Sequence, residues 1–253
     1  MVVLAIAVVA IGGWIFVLFW AGAAIVIYWE WNSMVAGGAK APLGAAAAAL
    51  LAAAAAVGSG HPGLAVAAIA AGAVAAAAVA PPRPRWSAAG VLYAGVLGLA
   101  TAGLRRDPEF GTAALYFLFA VVWATDILGY FVGRLVGGPR LAVRISPKKT
   151  WSGAAGGAAG ALAAGVGFAA LSGYSMGGSA AMAFLLSLVS QGGDLLESAI
   201  KRRFGVKDAS HVIPGHGGLM DRLDGFIAAA GVAVLIGMMR AGPDAAARGL
   251  LSW

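Results

Sequence analysis

The sequence predicts an all-α, polytopic membrane bundle of about eight spanning helices, and three observations predict it. Of 253 residues, 61% are hydrophobic and 11% charged, and the mean hydropathy is +0.90. A soluble domain carries about 25% charged residues. The apolar residues fall in runs long enough to cross hydrocarbon, which takes roughly 20 helical residues for about 30 Å. The runs do not alternate apolar and polar side chains, which excludes a closed membrane barrel.

The runs are residues 2–28, 41–57, 63–80, 87–104, 110–136, 152–171, 177–199 and 225–239. Gly12-Gly13 interrupts the first and would divide it into two helices, giving nine. No Lys or Arg precedes residue 10, so the first segment lacks the charged start of a secretory signal and is expected to be retained. Residues 45–56 and 65–80 are mostly Ala, Val, Leu and Gly, small side chains that let helices pack closely in lipid. His61 reads as a surface histidine in the turn between them. Pro81, Pro82 and Pro84, with Arg83 and Arg85, form a stiff basic connector. No long polar linker follows, so residues 1–253 read as a single membrane domain. Within it, 1–105 are packing spans and 106–253 carry the chemistry.

Cysteine is absent, which excludes disulfides, thiolate metal sites and cysteine nucleophiles. The net charge is +7, and ten of the 17 basic residues lie between Arg134 and Arg222. Two basic loops, 137–150 and 202–220, are separated by two spans and so belong on one side, which the basicity makes cytoplasmic. Arg105-Arg106 then falls outside, against that rule, with Asp107 and Glu109 beside it. Positive-inside bias alone accounts for bulk basicity at one face; a polyanionic substrate there is the functional alternative, and the detailed spacing decides between them.

Three segments carry candidate chemistry. In Gln191-Gly-Gly-Asp-Leu-Leu-Glu-Ser-Ala-Ile-Lys-Arg-Arg203, helical spacing puts Asp194, Glu197, Ser198 and Lys201 on one stripe. Carboxylates in or near a span are costly and usually functional, although an interfacial ion pair explains Asp194 as well. In Lys207-Asp-Ala-Ser-His-Val-Ile-Pro-Gly-His-Gly-Gly-Leu-Met-Asp-Arg-Leu-Asp224, the glycines permit close approach to a ligand. Asp221, Arg222 and Asp224 open the last span, where helix capping accounts for one aspartate. Oxygen donors beside Lys and Arg suit Mg²⁺ with phosphates. His216 reads as a metal ligand, a phosphate donor or a loop-fixing side chain, and three histidines without cysteine support zinc poorly. Third, Asp126, Tyr130 and Arg134 recur every four residues, followed by Ile145-Ser-Pro-Lys-Lys-Thr-Trp-Ser-Gly153. Its lysines either hold phosphates or decorate a solvated loop.

Ser198-Ala-Ile-Lys-Arg, Lys207-Asp and Pro214-Gly-His-Gly-Gly-Leu-Met-Asp-Arg-Leu-Asp224 together closely resemble the signature of the phosphatidate cytidylyltransferases, or CDP-diacylglycerol synthases. Ser146-Pro-Lys-Lys-Thr-Trp-Ser-Gly153 resembles that family's second block, and the Asp126 segment its counterpart, with Ile127-Leu128 in place of smaller residues. The strong match covers roughly residues 126–224; the first hundred residues resemble the family mainly in hydropathy.

The resemblance implies that CTP and phosphatidate give CDP-diacylglycerol and pyrophosphate at the cytoplasmic face of a bacterial inner membrane. The Ala-rich spans, which suggest a high-GC genome, fit a bacterial source. It implies Asp194 and Asp221 as paired Mg²⁺ ligands, with K⁺ beside them. It implies Ser198, Lys201, Ser146, Lys148 and Lys149 as phosphate-holding, with Arg202, Lys207, Asp208, Arg222 and Asp224 as further substrate contacts. His216, Gly217 and Gly218 would shape the nucleotide loop; Asp126 and Tyr130 would line a polar cavity. Membrane lipids are expected partners and nucleic acid is not; the sequence leaves room for a homodimer. Three other readings compete. A transporter predicts symmetry between halves, whereas the polar residues sit almost wholly in the second. Another enzyme of polyisoprenoid or lipid phosphate chemistry, such as a kinase, shares the Mg²⁺ and phosphate logic, and a structural membrane protein would not need the polar loop.

Overall fold

A computed structural model describes residues 2–80, 83–212, 215 and 217–253. The chain forms ten helices and one short hairpin among these residues. They divide into two compact units, Met1–Gly103 with Arg203–Leu223, and Leu104–Arg202 with Asp224–Trp253.

Unit 1 begins with α1 (Val2–Ile11) and α2 (Gly13–Ala36). The first apolar run is therefore two helices. Gly12 and Gly13 take φ of 68° and 58°, a left-handed conformation that favours glycine and stops an α-helix. α2 runs past Tyr28 through the polar Glu30 and Asn32, both buried, and ends at Gly37 in the left-handed conformation. α3 (Lys40–Gly58) and α4 (Pro62–Ala78) follow. A Cβ on Gly72 would collide with Ala49, so small residues set how closely these two helices pack. α5 (Pro84–Arg105) packs Gly90 against the Trp31 indole, which donates to the Trp86 carbonyl at 2.8 Å. Arg83 lies over the Phe204 ring and donates to the Val35 carbonyl at 2.9 Å. Pro81 and Pro82 of the basic connector lie outside the described residues.

Unit 2 is built on α6 (Gly111–Val136), α7 (Trp151–Ser172), α8 (Met176–Arg203), α9 (Met220–Ala241) and α10 (Ala246–Leu251); the last residue of α8 and the first four of α9 belong to unit 1. Gly153, Gly157 and Gly160 of α7 face the backbone of α6, where a Cβ on Gly157 would lie 2.7 Å from the Thr125 carbonyl oxygen. Thr125 donates to Ser187 at 2.9 Å, tying α6 to α8. Near the far ends, Arg106 pairs with Asp244 at 3.2 Å and Arg248 with Glu109 at 3.3 Å. Of the two arginines that ran against the positive-inside rule, Arg106 thus has an acidic partner.

The segment 137–150, read from sequence as a polar loop, contains an antiparallel hairpin of β1 (Arg140–Ala142) and β2 (Ser146–Thr150). Thr150 then caps α7, its hydroxyl accepting from Gly153 N–H at 3.1 Å. Among the described residues, seven helices are long and apolar enough to cross a membrane: α2, α3, α5, α6, α7, α8 and α9. α4, at 17 residues, and α1, at ten, are shorter, which accounts for the difference from the expected eight or nine.

Candidate active site

Close helix approach creates the polar cluster of unit 2. α8 and α9 meet at glycines. A Cβ on Gly193 would lie 2.6 Å from the Ala228 methyl and 2.9 Å from the Asp224 carbonyl oxygen. A Cβ on Gly225 would run into the Ser190 hydroxyl. These positions admit only hydrogen, so the residues beside them, Asp194 and Asp224, are carried close together. Asp194, Glu197 and Asp126 all lie near enough to Asp224 to act on its charge.

Two lysines are set among these four carboxylates. Lys149 reaches from β2 to form an ion pair with Asp194. Ser198, one turn along α8, donates to the other Asp194 oxygen at 3.3 Å. Lys201 pairs with Glu197 at 2.6 Å, and both are almost wholly buried. Removing one partner from such a pair would strand a buried charge. The stripe expected from spacing therefore exists, with its charges already matched.

Neighbouring residues of a strand point to opposite sides. Lys149 accordingly turns inward while Lys148 is exposed, so the two do not share a face. Ser146 begins the same strand and is half-buried. Arg202 donates to the Ile145 carbonyl at 3.4 Å and so touches the hairpin. Asp126 and Tyr130 are exposed on α6, with Arg134 donating to the Tyr130 hydroxyl at 2.8 Å.

The signature loop lies in unit 1. Asp221 accepts from Gly218 N–H at 2.8 Å and from Ala209 N–H at 3.0 Å, closing the loop onto the first turn of α9. Gly217 adopts a φ of 81°, which explains the need for glycine there. Lys207, Asp208 and Arg222 are exposed. His216 lies outside the described residues, as do Ile213 and Pro214.

Glu30 is a buried carboxylate at the signature loop that sequence reasoning passed over. It is buried in α2 and accepts from the Ser210 hydroxyl at 2.5 Å, Leu219 N–H at 2.8 Å and Met220 N–H at 2.6 Å. A signal was present. A carboxylate directly after the nearly unbroken apolar stretch 2–29 is the kind of intramembrane charge that marks function.

Carboxylate oxygens beside lysines are the donor chemistry of a divalent cation with phosphates. The residues fit Mg²⁺ in this chemical sense; among the described residues no three acidic or imidazole groups are already drawn into a cage.

A model of the cytidylyltransferase family matches residues 1–239. The chain is 54% identical over 160 residues to a protein of Brucella abortus named phosphatidate cytidylyltransferase, covering 63% of this chain and 59% of that protein. Proteins of the same name are 41% identical over 142 residues in Haemophilus influenzae and 37% identical over 130 residues in Bacillus subtilis. These stretches cover 54% and 49% of this chain, and 49% and 47% of the relatives. The chain thus spans between about half and three fifths of the length of the curated relatives it matches.

Proposed function

The chain belongs to the cytidylyltransferase family, and from that premise we propose that it transfers the cytidylyl group of CTP to phosphatidate, giving CDP-diacylglycerol and pyrophosphate. The observation that carries this reading is the cluster of Asp126, Asp194, Glu197 and Asp224 with Lys149 and Lys201 among them, four of the six on α8 and α9, the helices that bear the signature. Oxygen donors and cations in one place suit a reaction between two polyanions. The curated relatives carry the name of this activity.

A phosphate oxygen of phosphatidate attacks the α-phosphorus of CTP, a new P–O bond forms, and the bond to the β-phosphate breaks to release pyrophosphate. The attacking oxygen is already anionic, so no strong general base is needed. The barrier lies in bringing like charges together and in stabilising the leaving pyrophosphate, tasks for positioning and charge neutralisation. Lys149 and Lys201 hold phosphate oxygens, exchanging part of their carboxylate contacts for the substrate. Lys148, exposed beside them, attracts CTP from water, and Ser198 and Ser146 donate to phosphate oxygens. Arg202, Lys207 and Arg222 add cationic contacts, and Gly217 and Gly218 shape the loop around the nucleotide. By resemblance to the family signature, Asp194 and Asp221 would hold Mg²⁺, with K⁺ as a second ion, and these cations would supply charge neutralisation for the phosphates. The site faces the cytoplasm of a bacterial inner membrane, because CTP is supplied from cytoplasmic water and basic loops stay on that side.

The test is turnover. Purified protein with Mg²⁺, K⁺, radiolabelled CTP and phosphatidate in mixed micelles should yield labelled CDP-diacylglycerol and pyrophosphate in equal amounts. Folded protein that forms neither product overturns the proposal. Phosphoryl transfer that releases CDP instead overturns it in favour of a lipid kinase.

A further inference from the structure

Three successive backbone N–H groups at the start of α9 are taken up by two carboxylates. Asp221 accepts from Gly218, and Glu30 accepts from Leu219 and Met220. The first N–H groups of a helix have no partner within the helix and attract anions. Here the anion at two of them is a side chain 189 and 190 residues away in sequence. Glu30 lies six residues inside the end of α2, roughly 9 Å along the axis. Non-helical backbone this deep among spanning helices needs its polar groups satisfied from within the protein. Glu30 does so for the Ser210 hydroxyl and both N–H groups.

The same carboxylate explains a glycine. A Cβ on Gly218 would stand 2.5 Å from one Glu30 oxygen and 3.0 Å from the other. Gly218 does not have the positive φ of Gly217, so its backbone conformation does not demand glycine; the approach of Glu30 does.

We propose that Glu30 is a positioning residue for the reaction: its carboxylate anchors the signature loop at Ser210, Leu219 and Met220 and thereby sets Asp221, the next residue of α9, in its working orientation. The proposal rests on the functional reading above for its kinetic consequence and on geometry alone for its structural one. With these N–H groups committed to protein carboxylates, phosphate binding in this loop falls to side chains.

Two readouts keep the inference and the functional reading separable. The chain has no cysteine, so a single Val212→Cys, half-exposed in the loop, reports loop accessibility through its rate of thiol labelling. Glu30→Gln keeps size and one acceptor oxygen but turns an NH₂ group toward a backbone donor. It should raise Val212→Cys labelling at least several-fold, whether or not the protein turns over phosphatidate. In active protein it should lower kcat at least tenfold and raise the Mg²⁺ concentration for half-maximal rate. If Glu30→Gln fails to insert, Glu30→Asp, one methylene shorter, should show the same pattern. Gly218→Ala supplies the coupling test. It should be costly in the native background and add little in a Glu30→Ala background, where the opposing carboxylate is gone. Unchanged labelling with native kinetics overturns the proposal. So does lower thermal stability with native turnover and Mg²⁺ dependence in the surviving protein, because that is the signature of a merely structural contact. Equal, additive costs of Gly218→Ala in both backgrounds overturn it as well.

Discussion

Lys149 is held by Asp194, joining strand β2 to helix α8 in the middle of the acidic cluster, while Lys148 next to it points away and is exposed. Two adjacent lysines that look equivalent in the sequence therefore have different jobs. One is part of a preset charge arrangement; the other offers its ammonium to water and to whatever arrives from it.

Lys149→Ala should reduce turnover much more than Lys148→Ala. Loss of a hydrogen-bonded charged partner costs about 1.5–3 kcal/mol, roughly tenfold or more in rate. Lys148→Ala should act mainly on the KM for CTP, by a few-fold. Initial rates against CTP for both variants check this; equal losses would show that the hairpin does not sort the two lysines.

Asp194→Asn and Asp221→Asn should each remove most activity and weaken Mg²⁺ dependence while the protein still folds. If both serve the same ion, the double variant should lose much less than the product of the two single losses. Asp221→Asn should in addition lower stability by about 1 kcal/mol, because its carboxylate also holds Gly218 and Ala209 N–H. Rates across a Mg²⁺ series, taken alongside melting in detergent, separate the two effects. Near-native turnover in either single variant removes that aspartate from the metal site.

Gly193→Ala should destabilise by about 1–3 kcal/mol, because its methyl would enter the contact between α8 and α9. Activity should fall with it, since that contact carries Asp194 toward Asp224. Gly192→Ala, with nothing within 4 Å of its Cβ position, should be neutral or slightly stabilising. Paired melting curves decide; a Gly192→Ala as damaging as Gly193→Ala would mean that helix contact is not what selects glycine here.

The hairpin and the signature loop should be accessible from the same side of the membrane, since α7 and α8, each long and apolar enough to cross it, lie between them. Single cysteines at the exposed Val143 and Val212 should therefore respond alike to an impermeant thiol reagent in intact cells. Opposite responses would refute the two-crossing topology.

Sequence alone was enough to establish an all-α bundle of long apolar helices, though not their number, and the signature segments. Lipid contact imposes a long local run of apolar side chains, and a run is visible without any knowledge of what packs against it. The Gly12-Gly13 break and the helical stripe of Asp194, Ser198 and Lys201 were legible for the same reason, because backbone conformation and helical spacing are local properties. Only the tertiary structure could decide which charges meet. The pairing of Lys149 with Asp194 depends on a hairpin too short to show a strand period, and the need for Gly193 and Gly225 appears only when α8 meets α9. Glu30 is the extreme case: it sat just beyond the apolar run, in a half of the chain read as packing. Its role comes from backbone donors some 190 residues away, a relationship with no periodicity, because a hydrogen bond between distant segments leaves no local pattern in either of them.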